Sequence, residues 1–231
     1  VIRPVAIGEV WRRLAGRRTF SRAARRHGKA LTAFGQYGVG VKAGGEVVRH
    51  AIGELAAEMP DLALFGSDAV CAFNYVARSA IWEECLRLGD PDVLAYVASF
   101  YSEAAFQAVH AVSEDLQRDC STSVRSWTGV QMGCSGGSFL FSLTWTMRVI
   151  KPIALDTALQ ARPLAFIDDS YIICPSTTLG RCTRRMIELA RDVGVSIHVG
   201  RGGKSFVTPL SASGAADTAV MPTTTVAAAN G

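Results

Sequence analysis

Apolar residues recur at two different spacings along the chain, and the change of spacing divides it into helices and strands. Val48, Ile52, Leu55 and Met59 fall on one face of a helix that Pro60 stops. Directly after it, Leu62 to Asp68 is a short apolar run, which predicts a buried strand closed by an acid. Ser79 to Leu88 and Val93 to Val109 have helical patterns, separated by the breaker Gly89-Asp90-Pro91. Ser123 to Val130 predicts another strand, and a Gly/Ser turn at Ser135 to Ser138 opens an apolar helix ending near Pro152. Two short strands, Pro163 to Ile167 and Tyr171 to Cys174, flank Asp168-Asp169 and make a hairpin with acids at its turn. Thr177 to Val193 is then a helix ended by Gly194, and Val195 to Val199 a final strand. From Ser211 the chain turns to Ala, Thr and Ser, a composition that packs no core.

With 231 residues, 49% of them apolar and 19% charged, the chain has enough core for one large domain or two small lobes. The net charge of +4 does not select a partner class, but its distribution is uneven. Up to Lys29 the cations are Arg3, Arg12, Arg13, Arg17, Arg18, Arg22, Arg25, Arg26 and Lys29, against the single acid Glu9. That stretch is either a solvated helix face or a surface that neutralises phosphates. The glycines between Gly35 and Gly45 indicate turns, since no Lys-Ser or Lys-Thr follows to complete a phosphate loop. Cys71, Cys85, Cys120, Cys134, Cys174 and Cys182 are scattered without a Cys-x-x-Cys pair, which predicts reduced thiols in an intracellular setting and no zinc site. The most apolar run, Phe139 to Ile150, is interrupted by Ser142, Thr144, Thr146 and Arg148 and falls short of the roughly 20 residues a membrane span needs. The chain starts at Val1 without a charged-then-apolar leader, so no signal peptide is expected and the sequence reads as a fragment.

Nucleotidyl transfer requires divalent ions held by hard oxygen ligands from more than one element of a fold. Asp68 closes an apolar strand and Asp168-Asp169 sit where two others meet, so pairing these strands would gather the acids. In isolation an Asp-Asp pair is an ordinary turn feature, Phe73 a core residue and Lys204 an exposed lysine.

The surrounding segments change those odds. Phe166-Ile167-Asp168-Asp169 resembles the aromatic-x-Asp-Asp signature of reverse transcriptases, and Asp68 with Ala72-Phe73-Asn74 and Arg78 is similar to the segment carrying the other catalytic Asp in retrotransposons lacking long terminal repeats. Gly129 to Gly133 with Ser138 to Leu143 resembles the segment that packs under template and nucleotide. Arg3 to Glu9 and Gln36 to Val41 resemble two fingers motifs, and Gly194 to Ile197 followed by Lys204 resembles a later palm motif. The resemblance implies an α+β fold: a polymerase palm, an antiparallel sheet backed by helices, with a partial fingers lobe and no thumb. Residues 1–60 would be the fingers part, 61–210 the palm and 211–231 a low-complexity tail. It further implies that Asp68, Asp168 and Asp169 are catalytic metal-binding residues for two Mg2+ ions, with Mn2+ as a substitute. Phe73, Gln131, Gly133, Lys204 and Arg3 would contact the nucleotide, Phe73 as an aromatic gate against a ribose 2′-hydroxyl. RNA template, DNA primer and deoxynucleoside triphosphates would be the partners, with the thumb and other domains of a longer polyprotein, no membrane, and a nuclear location.

One segment departs from the pattern. Met132 stands where the family has Gln, with Gln131 one place earlier, and Cys134-Ser135-Gly136-Gly137 replaces the prolines that normally follow. A thioether offers no donor in that position. The alternative is therefore a decayed or host-adopted reverse-transcriptase-like fragment that binds RNA without catalysis.

Overall fold

A computed structural model describes residues 8–58, 61–102, 105–112, 119–199 and 203–210. Arg3 with the first fingers motif up to Ile7, Met59 and Pro60, and the tail from Ser211 lie outside the described residues. Strands β1 (Leu62–Ser67), β4 (Arg162–Phe166), β5 (Asp169–Pro175) and β6 (Phe206–Pro209) form one antiparallel sheet in the order β4-β5-β1-β6. Strands β2 (Ala105–Val112) and β3 (Asp119–Ser126) pair separately as a hairpin.

The unbroken apolar run of β1 follows from burial on both faces. Leu62 and Leu64 join Leu164, Ile173 and Val48 in a small core beneath α2 (Gly44–Glu58). Ala63 and Phe65 face the main core, with Ala165, Ile172 and Cys174. That core is covered by α4 (Arg78–Leu88), α5 (Pro91–Tyr101), α6 (Gly137–Trp145) and α8 (Leu179–Asp192), so the expected palm architecture of an antiparallel sheet backed by helices is present.

The basic segment forms α1 (Val10–Thr32), whose Gly16, Phe20, Ala23, Gly28 and Leu31 are buried. Phe20 meets Tyr96 of α5 edge-on at 4.9 Å and Phe139 of α6 at 5.6 Å. Asp90 caps α5 by accepting from the backbone N–H groups of Asp92 and Val93, and it also accepts from Arg26 of α1 at 2.8 Å. The exposed side of α1 carries Arg18, Arg22, Arg25 and Lys29 within one stripe.

Four expectations need correction. The helix expected over Val93–Val109 ends at Tyr101, and Ala105–Val112 is strand β2. The strand expected over Ser123–Val130 is β3, which starts at Asp119 and stops at Ser126. The helix does not end near Pro152: residues Thr146–Ile150 form a π turn and Pro152 sits in the first turn of α7 (Lys151–Leu155). Proline lacks an N–H and crowds the carbonyl four residues earlier, and the wider π turn before it accommodates both. Arg148, on that turn, donates to the buried Glu84. Val195–Val199 makes only the isolated bridge Ala69 to Ile197, and the strand that completes the sheet is β6.

A candidate active site at the ends of the palm strands

The last paired residues of β1 and β5 are Ser67 and Ser170. One further step in that register sets Asp68 across from Asp169, and two steps beyond Gly66 opposite Phe206 set Asp68 across from Lys204. Asp168 occupies the two-residue turn Ile167-Asp168 that joins β4 to β5, because Phe166 pairs with Asp169. The fold thus brings Asp68, Asp168, Asp169 and Lys204 to one end of three neighbouring strands.

Asp68 is anchored through its backbone: its N–H donates to Ser205 Oγ at 2.8 Å and its carbonyl accepts from the His198 N–H at 2.8 Å. Its carboxylate is about a third exposed and lies 3.7 Å from His198 Nδ1. Asp168 is half-buried, Asp169 and Lys204 exposed. Among the described residues, no three His, Cys, Asp or Glu side chains converge as a metal-ligand group. The donors available at these strand ends are hard carboxylate oxygens, the type that Mg2+ prefers.

Phe73 follows on the short helix α3 (Ala72–Tyr75), half-buried and stacked on Phe141 of α6 at 5.0 Å and 17°. Its carbonyl accepts from the Val130 N–H at 2.7 Å, which draws the segment holding Gln131 and Gly133 alongside. Arg78 supports the same segment by donating from Nε to the Gly129 carbonyl at 3.0 Å. Gln131 is buried, Met132 half-buried and Gly133 exposed with φ 93°. The Gln131 N–H donates to the Tyr101 hydroxyl at 3.4 Å. Burial pushes the Tyr101 phenol well above its ordinary range, and likewise moves Tyr96 to about 12, so both hydroxyls stay protonated.

Sequence reasoning passed over the residues that tie these pieces together. The Trp145 indole N–H donates to Ser170 Oγ at 2.8 Å, Ser67 Oγ donates to the Ser170 carbonyl at 3.1 Å, and Trp145 stacks on Phe141 at 5.5 Å. An aromatic and hydroxyl chain therefore runs from Phe73 to the strand end bearing the acids. The signal was Ser170 itself: strand alternation puts it on the core side with Ile172 and Cys174, where a hydroxyl needs a partner.

No family model matches the sequence, and no curated protein matches it. Solved structures do. Telomerase from Candida tropicalis in complex with the TWJ fragment of telomeric RNA aligns over 84% of this chain and 33% of that one, at 12% identity and a TM-score of 0.50. This chain has a polymerase-palm-like fold, an antiparallel sheet backed by helices. Apo telomerase from the same organism aligns over 84% of this chain and 36% of its own length, at 12% identity and 0.50. The form truncated from the C-terminal domain gives 84%, 40%, 13% and 0.50 for the same measures. The palm chain spans between a third and two-fifths of the length of these structures. No helix among the described residues is long and apolar enough to cross a membrane.

Proposed function

We propose that this palm performs RNA-templated DNA synthesis as the reverse transcriptase of a retrotransposon lacking long terminal repeats. The observation that carries the reading is the strand register, which makes Asp68 and Asp169 neighbours one step beyond Ser67 and Ser170, with Asp168 in the adjoining turn. Asp68 and Asp168 would hold two Mg2+ ions, with Asp169 completing the acidic end. Bound there, the ions would acidify the primer 3′-hydroxyl for in-line attack on the α-phosphate and offset charge on the departing pyrophosphate. The chain's own residues would orient the reactants. Phe73 would exclude a 2′-hydroxyl, Lys204 and Arg3 would meet the triphosphate, and Gln131 with Gly133 would line the nucleotide and template. The cationic stripe of α1 would neutralise phosphates of the RNA template or DNA primer. The reaction belongs in the nucleus, where an element's DNA copy meets its target.

The second reading, a non-catalytic relic that binds RNA, is favoured by Met132, a thioether where the resembled pattern has an amide. Primer extension on an RNA template with Mg2+, using the full-length protein, separates the two. Extension that Asp168→Asn abolishes without altering the unfolding midpoint supports the polymerase. RNA binding without extension, unaffected by Asp168→Asn, supports the relic.

A further inference from the structure

The turn carrying Asp168 adopts a conformation that its sequence disfavours. Ile167 has φ 61°, and Asp168 is not among the residues with positive φ. Positive φ at the first central position only is the type II′ pattern, which normally takes glycine there. A β-branched residue is a poor occupant of that region.

A single distant side chain holds this peptide on both sides. Gln36 is fully buried, 131 positions before Ile167. Its Oε1 accepts from the Ile167 N–H at 2.9 Å and the Gly38 N–H at 2.9 Å, and its Nε2 donates to the Ile167 carbonyl at 3.1 Å. The two N–H donors fix which end of the amide faces them. The backbone around Gln36 is itself fastened to β4: the Tyr37 N–H donates to the Ala165 carbonyl at 2.8 Å and the Ala165 N–H to the Gly35 carbonyl at 2.7 Å. Gly38 is needed for the approach, because a Cβ there would lie 2.6 Å from Ile167 Cγ1.

We infer that Gln36 is a positioning residue for the aspartate turn: its amide clamps Ile167 in the left-handed region and so sets the direction in which Asp168 leaves the sheet. The catalytic consequence rests on the polymerase reading above; the clamp itself does not. A glutamate would keep the acceptor but, ionised, could not donate to the Ile167 carbonyl. Glycine at 167 adopts the turn unaided, so it should make the clamp dispensable.

The test compares wild type, Gln36→Met, Gln36→Glu, Ile167→Gly and the Gln36→Met/Ile167→Gly double variant in the full-length protein. Methionine keeps length and volume while removing the bonding groups. Amide exchange over residues 166–171 and single-turnover extension on an RNA template are both measured. Gln36→Met should speed exchange in the turn by about tenfold or more, leave α8 protected, and lower kcat by a similar factor with little change in nucleotide KM. Ile167→Gly added to it should return both readouts to within about threefold of wild type. Should Gln36→Met not fold, Gln36→Glu carries the same comparison, with a smaller effect expected. Exchange that rises equally in α8 and β1, or a double variant no better than Gln36→Met, overturns the clamp. Wild type that extends no primer, while the turn still loosens and is restored, overturns the polymerase reading and leaves the clamp standing.

Discussion

Trp145 and Ser170 join the two halves of the candidate site: the indole N–H of the one donates to the hydroxyl of the other at 2.8 Å inside the core. Ser170 directly follows Asp169, and its hydroxyl also reaches the Asp168 carbonyl at 3.4 Å. Trp145 stacks on Phe141, and Phe141 on Phe73. The position that would judge the sugar and the turn that would hold metal therefore share one rigid support.

Trp145→Phe keeps an aromatic face toward Phe141 and removes the bond to Ser170. The lost hydrogen bond and the smaller ring should together cost about 1–3 kcal/mol, read as a lower denaturation midpoint with an unchanged slope. Extension should weaken too, because the support for Asp168 and Asp169 is loosened. Full stability in this variant would mean that Ser170 finds another partner.

Asp90 links α1 to α5 and should give the fold an acid-sensitive joint. Burial pushes its carboxyl up, but the His27 ring, the Val93 N–H, Arg26 and the Asp92 N–H outweigh burial and hold it below the ordinary carboxylate range. A carboxyl depressed on folding stabilises above its unfolded pKa, near 4, and loses that contribution as pH falls through the folded value. Asp90→Asn retains a capping oxygen and removes the charge. It should lower stability by about 1 kcal/mol at pH 7, with the deficit closing below roughly pH 4. Urea titrations at pH 7 and pH 3 check this; a deficit of equal size at both would assign the loss to packing.

The palm was legible where burial leaves a local mark. β1 carries no polar side chain from Leu62 to Gly66 because both of its faces are covered, and the β4–β5 hairpin shows in the strands beside Asp168. Val93–Val109 misled because a short apolar run does not distinguish helix from strand, so the apolar spacing of Phe106 and Val109 read as a continuation of α5. β6 is four residues at a sheet edge with Pro209 as its last, and only its pairing with β1 identifies it. The acids were visible as residue types at strand ends. Trp145 as the partner of Ser170, 25 positions away, and Gln36 as the partner of Ile167, 131 positions away, were not, since alternation shows that a core hydroxyl needs a partner but not which residue supplies it.

Phe73 has both a packing role and a proposed selective one, and Phe73→Val separates them. Loss of the stack on Phe141 should cost about 1–3 kcal/mol, visible in the unfolding midpoint. If the ring also blocks a 2′-hydroxyl, ribonucleotide incorporation relative to deoxyribonucleotide should rise by about tenfold. A lower midpoint with an unaltered sugar preference would leave Phe73 as a core residue alone.

Gln131 and Met132 compete for the role that the family pattern gives to an amide, and their surroundings differ. Gln131 is buried, its N–H donating to Tyr101 and its carbonyl accepting from the Cys134 N–H at 3.0 Å. The preceding residues are pinned as well, the Gly129 N–H to the Val76 carbonyl at 2.9 Å and the Val130 N–H to the Phe73 carbonyl at 2.7 Å. Sliding the turn to bring Gln131 outward would break several of these bonds, whereas position 132 is already half-exposed. Met and Gln have similar length, so Met132→Gln should fit with little change in stability. A restored amide is worth about 0.5–1.5 kcal/mol, and kcat/KM for extension should rise by roughly two- to tenfold. Gln131→Ala should lower stability, with any loss of extension following the loss of fold. Unchanged extension in Met132→Gln, together with impaired extension at full stability in Gln131→Ala, would assign the nucleotide contact to Gln131 instead.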